Sequence, residues 1–165
     1  MGGGGKVLTF EPDSNNYEAL TRNIAAHQLT NVTAFNMGIW SVTTTLSFQA
    51  EGNLGSSIAM PNGRTSNLHS ISVISLDDLV EKCGLERLDF AKFDIEGAEL
   101  SALAAASNAW WRLRPKMVIE PHVVNGTVCT EALCEILRYR GYAIQILPQA
   151  KLRLPLIYAE PKSIC

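Results

Sequence analysis

The chain has 165 residues, 47% of them apolar and 18% charged, with a formal net charge of −2 at pH 7. That length suits a single domain over 1–165, and the apolar share can build a buried core, which excludes compositional disorder. With no Lys/Arg run, the charge argues against nucleic acid or an anionic membrane as the main partner, because both ask for a concentrated basic face.

No segment is apolar for long enough to span a bilayer. The opening MGGGGKVLTF has no secretory apolar region, and Lys6 stands where myristoylation wants Ser or Thr. The default compartment is therefore cytoplasmic. Asn31-Val32-Thr33 and Asn125-Gly126-Thr127 match the glycosylation pattern, which matters only for an exported chain. Cys83, Cys129, Cys134 and Cys165 show no ligand spacing, and His27, His69 and His122 are equally scattered, so the cysteines read as free thiols.

The apolar run at 6–10 ends at Glu11-Pro12, and Pro12 cannot extend a buried ladder. A helix follows, with N-cap candidates from Asp13 to Asn16, a capping box between Asn15 and Glu18, and Tyr17, Leu20 and Ile24 at helical spacing. It ends near Gln28. A strand at 32–35 leads into a loop through Gly38. Extended pieces follow at 43–49 and 71–76, separated by an irregular Gly/Ser/Asn-rich loop at 51–67.

Ser75-Leu-Asp-Asp78 starts a helix over 77–83 that Gly84 closes. A strand at 88–93 turns at Gly97 into an amphipathic helix over 99–108. Then come a strand at 116–120, a helix at 130–140 closed by Gly141, and strands at 142–147 and 156–159 as a hairpin. Alternating strands and helices predict an α/β sheet, mostly parallel, with helices on both faces. The strands at 6–10, 32–35, 88–93 and 116–120 are expected to be parallel neighbours in one sheet.

Three places carry chemistry. Glu11 ends a strand directly before a helix, where a carboxylate can accept hydrogen bonds from both hydroxyls of a ribose; a solvated turn residue is the plainer alternative. In Lys92-Phe-Asp-Ile-Glu96, period-two alternation puts Lys92, Asp94 and Glu96 on one face if the strand stays extended. Charges at the end of an apolar strand either face a cleft or pair with one another. Glu120-Pro-His122 repeats the pattern at the next strand tip, where His122 can act as a general base or stand merely solvated. Asp94, Glu96, Glu120 and His122 offer metal-ligand chemistry, but no ligand spacing enforces it and no metal is assigned. No Walker A loop, GxGxxG fingerprint or nucleophile elbow is present.

In order and spacing, FEPDSNNYEALTRNI, ISLDDL, LDFAKFDIEGAELSAL and KMVIEPH resemble FkbM-type methyltransferases over about residues 5–147. The resemblance implies a Rossmann-like class I sheet. It also implies methyl transfer from S-adenosylmethionine to a hydroxyl of a sugar or other small natural product. Carried over, Glu11 holds the cofactor ribose, and Asn36, Met37 and Gly38 line the adenine side. Asp94 and Glu96 stand beside the methionine end of the cofactor and the acceptor. Lys92 is counted with the cofactor-binding residues, and His122, on its own chemistry, with Asp94 and Glu96 as a catalytic candidate.

That family opens with a strand, an acidic residue and a glycine loop, whereas Lys6 here already belongs to the second strand and Gly2–Gly5 match the tail of a linker. The chain is therefore expected to be N-terminally truncated, to bind cofactor weakly or not at all alone, and to be able to self-associate through an incomplete sheet. A non-catalytic interaction module is the alternative function. A dehydrogenase is disfavoured by the missing dinucleotide fingerprint.

Overall fold

The run before Pro12 forms β1 (Val7–Phe10), and the chain turns at Pro12 into α1 (Ser14–Ala26). In the computed structural model, which describes residues 4–49, 57–58, 68–124, 126–149 and 154–163, the chain groups into two units: Met1–Ile39 with Thr44–Val73, and Trp40–Thr43 with Ile74–Cys165. The expectations for Gly2, Gly3, Asn125, Cys165 and, apart from 57–58, the loop at 51–67 lie outside the described residues.

In the first unit the cap of α1 is Asp13, not Asn15. Its buried carboxylate accepts the backbone N–H of Asn15 at 2.9 Å and of Asn16 at 3.0 Å. Extended backbone at Asp13, directly after Pro12, places that oxygen over the first turn. β2 (Val32–Phe35) runs parallel to β1 with Phe10 opposite Phe35, and the two rings stack at 5.0 Å.

The loop expected through Gly38 is instead the short strand β3 (Gly38–Trp40). It joins β4 (Thr44–Gln49), β5 (Ser57–Ile58) and β6 (Leu68–Ser75) in a sheet of order β3-β6-β4-β5, in which β4 is antiparallel to both its neighbours. Gly38, Ile39, Ile71 and Val73 are buried in this sheet within the unit.

The second unit starts with α2 (Leu76–Lys82). Ser75 caps it, Asp77 and Asp78 stand in its first turn and Lys82 in its last, as the helix dipole favours. β7 (Phe90–Phe93) follows. The helix expected over 99–108 breaks into α3 (Glu99–Ala105) and α4 (Asn108–Trp111), because Ala106 turns extended and Ser107 caps anew. Asp77 fixes that break by accepting the N–H groups of Ser107 at 2.7 Å and Trp110 at 2.9 Å.

β8 (Lys116–Ile119) is parallel to β7, with Phe93 opposite Ile119. A small hairpin of β9 (Val123–Val124) and β10 (Thr127–Val128) precedes α5 (Thr130–Tyr139). β11 (Tyr142–Leu147) and β12 (Leu156–Pro161) form the expected C-terminal hairpin. β12 inserts antiparallel against β8, giving the order β11-β12-β8-β7. Met117, Ile119, Leu103, Leu133, Leu137 and Ile157 are all essentially inaccessible and form the centre of this unit.

The sheets are mixed, not mostly parallel: β4–β5, β4–β6, β8–β12, β9–β10 and β11–β12 are antiparallel, while the ladders β1–β2 and β7–β8 are parallel. The four strands expected side by side fall into these two ladders, which belong to separate sheets. Parallel pairing needs a crossover, usually helical; α1 supplies it between β1 and β2, and α3 with α4 between β7 and β8.

Candidate active site

β7 and β8 are parallel and in register, so the residues after each strand leave the same, carboxyl edge. The N–H of Glu120 donates to the carbonyl of Phe93 at 2.8 Å, which carries the ladder one step past the strands. Asp94 therefore sits beside the Glu120-Pro121-His122 segment, in which Pro121 is fully buried.

The alternation expected at 92–96 holds only as far as Asp94. Lys92 Nζ meets Asp94 Oδ2 at 2.7 Å, an ion pair half open to solvent and of small energetic weight. The strand then ends, and Glu96 adopts a left-handed backbone with φ +53°, followed by Gly97 at φ +100°. A non-glycine residue in that region costs of order 1–3 kcal/mol and persists only where its surroundings impose it. Here Gly97 is irreplaceable on two counts. Its φ disfavours side chains, and a Cβ would lie 2.9 Å from Cγ2 of Val124.

What imposes the turn is Glu99, the first residue of α3. Its side chain is 1% exposed, and Oε1 accepts the N–H of Ile95 at 3.1 Å and of Gly97 at 3.4 Å. The same oxygen lies 2.8 Å from Nδ1 of His122. An oxygen already receiving backbone N–H groups is an acceptor, so Nδ1 carries the proton and Nε2 points away with its lone pair. Nε2 stands 3.5 Å from Glu96 Oε2 and 3.9 Å from Asp94 Oδ1.

Burial works to lower the pKa of His122. The charge and hydrogen bond of Glu99, with Glu96 and Asp94, outweigh it and hold the imidazole above its ordinary value. Burial pushes the Glu96 carboxyl up. The His122 charge opposes that push, while Asp94, Glu99 and Glu120 add to it.

Glu99 is the residue the sequence left unassigned. It was legible only as a helix start, yet a second acid stands three residues after Glu96 across a glycine. An acid in a first turn can fold back on the N–H groups before it.

In the first unit Glu11 follows β1 and Asn36 follows β2, so both leave the same edge of that parallel pair. Glu11 Oε1 accepts the N–H of Asp13 at 2.8 Å, and burial raises its pKa despite that bond. Asn36 braces the turn, its Nδ2 donating to the carbonyls of Glu11 at 2.9 Å and Pro12 at 3.3 Å. Met37 is half-buried. Gly38 is buried where a Cβ would press on Val73 at 3.3 Å and Pro12 at 3.6 Å, so its smallness serves packing.

No helix among the described residues is long and apolar enough to cross a membrane. Cys83, Cys129 and Cys134 are free thiols.

The chain is similar to Methyltransferase sdnD of Sordaria araneosa, with 28% identity over 70% of this chain and 56% of that protein. It is also similar to Methyltransferase 1 of Beauveria bassiana (strain ARSEF 2860), with 23% identity over 85% of this chain and 64% of that protein. It thus spans less than two thirds of either curated relative. A crystal structure of Methyltransferase FkbM from Methylobacillus flagellatus KT matches with a TM-score of 0.67 and 25% identity, covering 94% of this chain and 36% of that one. The Methyltransferase FkbM domain family matches residues 1–144, and the chain therefore belongs to the FkbM methyltransferase family and has its α/β fold.

Proposed function

We propose that the protein is an S-adenosylmethionine-dependent O-methyltransferase acting on a hydroxyl of a sugar or other small natural product. The observation that carries this reading is the group of Asp94, Glu96 and His122 at the carboxyl edge of β7 and β8, with Glu99 fixing the imidazole. Ligands of open α/β sheets are met at that edge.

S-adenosylmethionine supplies a methyl group already activated on a sulfonium. The protein's work is then to hold an oxygen in line and receive its proton. His122 Nε2 is the proton acceptor, and Asp94 and Glu96 orient the hydroxyl. Glu11 is an acceptor-only, half-buried carboxylate at a strand tip, which fits the paired hydroxyls of a ribose. Asn36 keeps the Glu11 turn in shape, and Met37 and Gly38 follow on the adenine side.

Calorimetry of the whole protein with S-adenosylmethionine and its demethylated product tests the reading. Glu11→Gln is expected to weaken binding roughly 10- to 100-fold, by loss of one charge-assisted interaction. Absence of cofactor binding by the unmodified protein, or equal affinity in the variant, overturns it.

A further inference from the structure

His122 Nε2 and the carboxylates of Asp94 and Glu96 face one another without bonding. All three ligand atoms lie within 4.8 Å of one another. The separations of 3.5 Å and 3.9 Å from Nε2 exceed good hydrogen-bond lengths. An ion with bonds of about 2.0–2.2 Å holds its neighbouring ligand atoms about 3–3.6 Å apart, so small side-chain rotations close this set onto one point.

The second ring nitrogen supplies the independent observation. Nδ1 of His122 is held at 2.8 Å by Glu99, a carboxylate 1% exposed, in the arrangement that metal-bound histidines use to fix their tautomer and strengthen the donor nitrogen. Charge points the same way. Glu96 feels the charges of Asp94, Glu99 and Glu120, while the cations that can offset them are Lys92 and, when protonated, His122. Four carboxylates against one imidazole and one ammonium leave negative charge that a divalent ion neutralises.

We propose that Asp94, Glu96 and His122 bind a divalent transition-metal cation, with Glu99 as the residue that positions His122. One nitrogen and two carboxylate oxygens suit Mn²⁺, Fe²⁺ or Zn²⁺ better than Ca²⁺, which prefers an all-oxygen set. Asp94 and Glu96 are partly exposed, with side-chain exposures of 38% and 43%, so further positions are left to water or an incoming oxygen. The ion's part in methyl transfer rests on the function proposed above. A hydroxyl bound to it releases its proton to solvent more readily, because the ion stabilises the alkoxide, and the ion then takes the place of the bare Nε2 as activator.

The test is addition of MnCl₂ to the EDTA-stripped 165-residue chain. Paramagnetic broadening of the three histidine rings is followed by NMR, beside calorimetry with ZnCl₂ and CaCl₂. Saturable broadening centred on the His122 ring and the backbone of 94–97, and binding of Zn²⁺ over Ca²⁺, are expected. The surface changes Asp94→Asn and Glu96→Gln should each weaken it at least about tenfold, and Glu99→Gln about 10- to 100-fold. If Glu99→Gln fails to fold, the two surface variants decide. Diffuse broadening, or affinity unchanged in both surface variants, overturns the site. Cofactor calorimetry in EDTA is read separately. Cofactor binding without cation binding removes the ion and leaves the methyltransferase reading standing, and cation binding without cofactor binding does the reverse.

Discussion

Glu99 Oε1 stands 2.8 Å from His122 Nδ1 while also taking the N–H groups of Ile95 and Gly97. One buried oxygen thus ties the start of α3, the left-handed turn after β7 and the tip of β8 to each other. The polar edge has its shape because of this contact, and the first two predictions follow from it.

In cation-free protein the His122 imidazole titrates above its ordinary value of 6.5. A histidine whose folded pKa is raised contributes stability that is fully present below the unfolded value and is lost as pH rises through the folded value. Urea denaturation in EDTA should therefore show stability from this group falling between about 6.5 and the His122 midpoint read by NMR. Glu99→Gln removes the largest of the raising causes, so the midpoint should drop and that pH dependence should shrink. A midpoint at or below 6.5 in the unmodified chain would contradict this.

Gly97→Ala should destabilise the second unit by about 1–3 kcal/mol through backbone strain, plus the clash with Val124. Val124→Ala in the same chain relieves the clash and leaves the strain, so the double variant should recover part of the loss and not all of it. Urea midpoints of the four proteins in this cycle measure both parts. Full recovery would assign the glycine to space alone.

Asp13→Ala removes the cap of α1 and should lower stability by about 0.5–2 kcal/mol, while Asp13→Asn should retain most of it. Hydrogen exchange at Asn15 and Asn16 locates the effect. An Asn15→Ala variant, which the capping box would make costly, should be close to neutral.

In the whole protein with a hydroxyl acceptor, Asp94→Asn should lower turnover more than Glu96→Gln, by roughly 10²-fold, the lower range for a group that assists proton transfer. Asp94 stands at the strand tip with one oxygen on Lys92 and the other toward His122. Full turnover by Asp94→Asn would assign that carboxylate to holding Lys92 only.

By itself the sequence determined the positions of most strands and helices, because apolar runs, Pro12, Gly84 and Gly141 act over a few residues. It determined the family as well, through motifs that are contiguous in the chain. It also marked Glu11, Asp94, Glu96 and His122, since a charge at the end of an apolar strand is conspicuous in one dimension.

Tertiary structure alone decided what those charges do. Period-two alternation was to bring Glu96 beside Asp94. The strand stops at Phe93, yet a left-handed turn held by Glu99 still brings Glu96 to Asp94, and to His122 as well. Asn36, expected on the adenine side, braces the Glu11-Pro12 turn from 25 residues away. The 99–108 helix breaks because Asp77, 30 residues earlier, captures the N–H of Ser107. The last two of these outcomes depend on a hydrogen bond between residues far apart in the chain. Such partners are set by which strands pair and in what register, and periodicity does not encode that choice.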